Sequence, residues 1–197
     1  VMWQYPAAEI PPEATPEHRL QLQQVRKVVH GVLDAYPSSA NAVAALAVLH
    51  YLCYDSVAEA ACWERCLELD PTFGQAYSRL VALAEQGGDH EQVIHLMQRA
   101  QDYPSALNDQ QRQQHLGSAL VQLRRFDEAR EVLERLVNTQ RREPEALLLL
   151  GGIYSRQEDL LKARDSLEIA LAQDPGLIDA MYRLSMVCNK LGERERA

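Results

Sequence analysis

Residues 150–175 read LGGIYSRQEDLLKARDSLEIALAQDP. Paired glycines ahead of a helix-like run raise the question of a phosphate-binding loop. The stretch has no GxxxxGK[ST] pattern, and no strand precedes the glycines. Helical spacing accounts for it better. Leu150, Gly151 and Tyr154 fall on one face of a first helix, and Ala163, Leu167 and Ala170 on one face of a second. Small residues opposite large ones let two antiparallel helices approach closely, and Asp174-Pro175 closes the unit.

The same pattern recurs outward from this stretch. Pro37, Pro71, Pro104, Pro144 and Pro175 are 34, 33, 40 and 31 residues apart. Each interval holds two helix-sized apolar patterns around a polar turn, the signature of a stacked helical repeat. Tyr77, Leu80 and Val81 pair with Val93, Met97 and Ala100 in one unit, and Leu116-Gly117 with Phe126–Ala129 in the next. The unit from Ala40 to Pro71 fits through Val43, Leu46, Ala47, Trp63 and Cys66. There, however, Glu59 stands where a small residue is expected, and the turn near Tyr54-Asp55-Ser56 is the least certain of the set. Thr15-Pro16-Glu17 starts an earlier helix, with a cap, a proline at the first position and an acid at the positive end of the dipole. Leu20, Leu22, Val25, Val28, Val29, Val32 and Leu33 give that helix a broad apolar face, and Pro37 ends it. At the far end Met181, Leu184, Ser185 and Cys188 read as a first helix whose partner has barely begun.

Over roughly residues 25–197 these positions resemble the tetratricopeptide repeat family. The resemblance implies an all-α fold, a right-handed superhelix of antiparallel helix pairs. The expected organisation is a Pro-rich extended arm over 1–15, which either hangs free or docks on the array. Residues 16–197 then form about four units plus a truncated last repeat. It further implies a scaffold that binds a protein or peptide along the concave groove lined by its first helices. The groove residues singled out on that basis are Tyr51, Arg79, His115, Gln122, Leu148, Leu149, Arg156, Tyr182, Arg183, Met186, Asn189 and Lys190. Arg79, Arg156, Arg183 and Lys190 face Glu85, Glu145 and Asp179 there, so the groove should be near neutral and suit apolar anchors with an acidic group near Arg156, Arg183 and Lys190. Ala44 and Val48 stand where some family members clamp a chaperone's terminal carboxylate, so that role is disfavoured. Nor does the asparagine ladder of the O-GlcNAc transferase arm occur: the matching positions are Ala45, Arg79, His115, Leu149 and Arg183.

Composition narrows the function. The 197 residues carry a net charge of -8, against a nucleic-acid partner, since Arg124-Arg125 and Arg141-Arg142 are interleaved with acids. No apolar run reaches the ~18 residues of a membrane helix, so no membrane insertion is expected. No signal peptide is visible, but the Val1-Met2 start reads as an excised piece, which leaves the compartment open between cytoplasm and an exported setting. A parent protein extending past Ala197 would make this chain the non-catalytic arm of a larger enzyme or a secretion or assembly protein. The open Met181/Leu184/Cys188 face would otherwise favour an end-to-end homodimer.

No reaction chemistry stands out, and no enzyme or cofactor is expected. His90 and His95 are five apart and diverge around a helix, unlike the ligands of a zinc protease. His50, Cys53, Cys62 and Cys66 could meet across two helices as zinc ligands, but four cysteines without a short CxxC knuckle read more simply as reduced core thiols. No metal site is therefore expected.

Overall fold

A computed structural model describes residues 8–139 and 143–196, with the side chains of 193–196 left aside. Among the described residues every regular element is a helix. They are α1 (Pro16–Ala35), α2 (Ala40–Leu52), α3 (Ser56–Leu69), α4 (Gly74–Gly87), α5 (His90–Gln101), α6 (Asp109–Gln122), α7 (Phe126–Asn138), α8 (Pro144–Arg156), α9 (Leu160–Gln173) and α10 (Ile178–Arg196). The chain divides into two compact units, residues 1–108 and 109–197. In the first, α1 packs on α2, α2 on α3, α3 on α4 and α4 on α5. In the second, α6–α10 pack in the same serial way, and α8 also touches α6 and α10.

Each helix pair is closed by one turn. Tyr54, Gly88, Arg124 and Glu158 all take left-handed backbone conformations, with φ of 58°, 71°, 59° and 64°. The next residue's N–H returns to the carbonyl five positions back: Asp55 to His50, Asp89 to Ala84, Arg125 to Leu120 and Asp159 to Tyr154, at 2.8–3.0 Å. This six-residue closure satisfies the last carbonyls of the first helix. At three of the four turns the same residue is an aspartate that caps the second helix, Asp55 to Ala58 N, Asp89 to Gln92 N and Asp159 to Lys162 N. The turn in doubt at Tyr54–Ser56 is therefore regular, and α3 begins at Ser56. Glu59 does occupy the small-residue position, 2% exposed.

The close helix contact expected from the sequence is present. A Cβ on Gly151 would lie 2.6 Å from Leu167 Cγ, and one on Gly117 would lie 2.5 Å from a Leu133 methyl. Leu167 and Leu133 are fully buried, in the gaps the glycines leave. Gly152, on the next face round, would instead meet the Arg183 guanidinium at 2.8 Å.

The flanking helices depart from the expected burial. On α1 only Leu22, Val29 and Leu33 are buried, while Leu20, Val25, Val28 and Val32 stay exposed. The reason is that α2 is the one helix α1 packs on closely among the described residues. α10 runs unbroken through Gly192 rather than turning into a partner helix; Ala180 and Val187 are buried, and Met181 and Cys188 are exposed. Residues 1–7 of the expected N-terminal arm lie outside the described residues, as do Arg141 and Arg142. Its end, residues 8–15, is non-helical, with Ala8 buried and its carbonyl accepting a hydrogen bond from Arg26 at 3.4 Å.

The two neighbouring glycines should respond oppositely to substitution. Gly151→Leu forces Leu167 out of its place and should lose about 1–3 kcal/mol in urea unfolding. Gly152→Ala asks only a long side chain to swing aside while the helix gains about 0.5–1 kcal/mol, so its stability should be unchanged or higher.

Candidate functional site

The groove residues expected from the sequence fall in both units. Tyr51 and Arg79 lie in the first, where Tyr51 ends α2 half-exposed and Arg79 projects from α4. Arg79 is not the available cation that the sequence suggested. Its Nε and Nη2 donate to Glu59 Oε1 at 3.0 and 2.6 Å, and its guanidinium stacks over the Tyr51 ring at 4.6 Å. Trp63 Nε1 donates to the same carboxylate oxygen at 3.1 Å. A buried carboxylate at a small-residue position is tolerated because both charges are matched and the indole N–H is satisfied. The sequence pattern marked Glu59 as a misfit, and that mark was the signal of this pair.

The remaining candidates lie in the second unit. Leu148 and Leu149 are half-buried on α8, and Tyr182 and Met186 are exposed on α10. Gly152 brings α8 and α10 into register here, because the space a side chain would fill holds Arg183. Arg183 has no carboxylate partner among the described residues. Arg156 is exposed, with its guanidinium 5.3 Å from the Phe126 ring. Lys190 sits 4.0 Å from Glu158, a separation in solvent that adds little stability. Gln122 and Asn189 are exposed on α6 and α10, and His115 is half-buried on α6 and already engaged. Arg183 thus shares the α8/α10 contact with half-buried leucines on α8 and exposed Tyr182 and Met186 on α10.

The cysteine cluster has a packing role. Among the described residues no three His, Cys, Asp or Glu are placed to hold a metal ion. Cys62 and Cys66 are fully buried, and Cys66 Sγ donates to the Ala40 carbonyl at 3.4 Å. Burial pushes both thiols up to about 12, and raises Cys53 as well. His50 is fully buried beside Asp55, at 3.4 Å from its carboxylate. No described helix is long and apolar enough to cross a membrane.

Comparison with known proteins agrees with the helical-repeat fold. Residues 116–178 match the family described as "Tetratricopeptide repeat". No curated protein matches in sequence. Among solved structures, YrrB, titled "a TPR protein with an unusual peptide-binding site", superposes with a TM-score of 0.68 at 20% identity, over 85% of each chain. The Pseudomonas aeruginosa pilF structure gives 0.67 at 20% identity, over 90% of this chain and 80% of that one. A MamA structure gives 0.68 at 17% identity, over 80% and 85%. Residues 116–178 carry the tetratricopeptide-repeat match in sequence, and most of the chain shares the fold of solved tetratricopeptide-repeat proteins. Proteins of this class are in general non-catalytic interaction scaffolds.

Two measurements check the environments described here. Glu59→Ala strips Arg79 and Trp63 of their acceptor and should cost about 2–3 kcal/mol, below the full cost for a buried pair because Arg79 is one-third exposed. In a double-mutant cycle, Arg79→Ala should cost clearly less in that background than alone. In iodoacetamide labelling of the folded protein at pH 8, one thiol should react quickly, and Cys188→Ser should abolish that phase, since Cys53, Cys62 and Cys66 stay protonated and covered.

Proposed function

We propose that this chain is a protein-binding scaffold whose second unit holds a peptide segment against α8 and α10. The observation that carries this is Arg183, whose guanidinium lies beside Gly152 and has no carboxylate partner among the described residues. The peptide supplies a carboxylate to Arg183, with Lys190 and Arg156 nearby, and an apolar side chain to the Leu148, Leu149 and Met186 wall. Burying the apolar anchor gives affinity, and the charged contact gives register. Catalysis plays no part in this reading: its residues offer a surface and a charge, with no nucleophile and base arranged to act on a bound group. A similarity in fold to a protein titled as peptide-binding is consistent with it.

Arg183→Glu combined with Leu149→Asp should reduce affinity for a native partner at least about 100-fold, as expected when a charge contact and a central apolar contact are both reversed. Circular dichroism of the variant should match the parent. Unchanged partner affinity in a folded double variant would overturn the assignment.

A further inference from the structure

The two outermost helices each carry an interior-type face that no described residue covers. On a second helix four residues, spaced three, one and three apart, turn toward the first helix of the pair, as Leu133 does onto Gly117 and Leu167 onto Gly151. On α3 the four are Glu59, Cys62, Trp63 and Cys66, all buried. The same places are buried on α5, from Val93, and on α7, from Ala129. Val25 stands 34 residues before Glu59 and begins the same set on α1: Val25, Val28, Val29 and Val32. There only Val29 is buried, while Val25, Val28 and Val32 are 41%, 65% and 39% exposed. First helices carry the matching set, buried as Val43, Leu46, Ala47 and His50 on α2 and again from Leu147 on α8. On α10 that set is Met181, Leu184, Ser185 and Cys188, 34 residues after its α8 counterpart, and none of the four is buried.

The adjoining chain does not supply the missing halves. Two or three residues separate the helices of each pair, so a first helix for α1 would have to reach residue 12 or 13. Residues 8–15 are not helical, and Pro11 and Pro12 stand there. At the other end, the turn at Gln157–Asp159 corresponds to residues 191–193, where α10 continues as helix without folding back. Both helices are also long, 20 residues in α1 and 19 in α10 against 12–14 in the others.

We infer that α1 of one copy of this chain packs antiparallel on α10 of another, completing a helix pair between copies. The contact continues the one that joins α8 to α9. In the register that sets Leu167 on Gly151, Val29 lies over Ser185, with Val25 beside Cys188 and Val32 beside Met181. Neither set of four contains a charge, so the pairing desolvates no ion. A charged peptide would find nothing on either face to pair with, whereas a second copy brings the complementary half at matching length. The interface is heterologous, and every copy offers one face of each kind. It uses a different side of α10 from Arg183 and Met186, so it does not rest on the peptide-binding reading.

Light scattering of the whole chain over a concentration series should show the mass rising above the monomer. Val28→Glu spoils the α1 face alone, and Met181→Glu the α10 face alone; circular dichroism should match the parent in both. Each variant by itself should raise the apparent dissociation constant at least about 10-fold, because a charge is then buried in the contact. Mixed in equal amounts, the two should form a dimer and nothing larger, since each brings the face that the other lacks. A milder change gives a second readout. Val25→Cys, oxidised with diamide, should link to Cys188 of a second copy and give a ladder of joined chains on a non-reducing gel. Lys27→Cys, on the far side of α1, should not, and Cys188→Ser should abolish the ladder. A parent chain that stays monomeric would overturn the proposal, as would a mixture of the two glutamate variants that stays monomeric. So would a Val28→Glu chain that dimerises like the parent, which means α10 paired with α10, or equal crosslinking from Lys27→Cys.

Discussion

Everything in this structure depends on two helices lying closer than ordinary side chains permit. At Leu167 over Gly151 and Leu133 over Gly117, the large residue takes the volume that a Cβ would need. The same sixteen-residue offset relates Ala47 to Trp63 and Val81 to Met97, where a smaller-to-larger exchange of bulk is spread differently between the helices. A pair built this way still leaves its outer faces uncovered, so within each unit one pair lies against the next. Stacking then sets which residues remain on the surface, and those are the ones left for recognition.

Sequence spacing disclosed most of this frame. Proline intervals, the Gly151/Leu167 pairing and the start of α1 at Pro16 were legible because they follow from helical periodicity and capping, which are local. The left-handed turn residue was not legible, because Tyr54, Arg124 and Glu158 are not glycines and carry no composition signal for φ above zero. Burial on the flanking helices was misjudged for a different reason. The α1 pattern is apolar on a broad face, yet burial of Val25, Val28 and Val32 needs a neighbour that periodicity cannot supply.

Recognition residues were read less well than the frame. A charge assigned to a face by helical register says nothing about its partner across the next helix. Arg79 has the register of a surface cation but belongs to an ion pair with Glu59, twenty residues earlier. Arg183 has the same register three repeats later, and its guanidinium lies beside Gly152, in the space a Cβ would meet. The difference lies in one acid at a small-residue position in α3 and one missing side chain in α8. It separates a guanidinium held in an ion pair from one with no carboxylate partner among the described residues.

The central claim is that the exposed α8 and α10 faces around Arg183 form a peptide-binding surface. Backbone amide chemical shifts measured during titration with an acidic-apolar peptide test it most directly. The account predicts shifts concentrated at residues 148–156 and 182–190, saturating with a single affinity. Saturating shifts confined to α7 and α9, or no shifts at all with a peptide known to bind the chain, would contradict it.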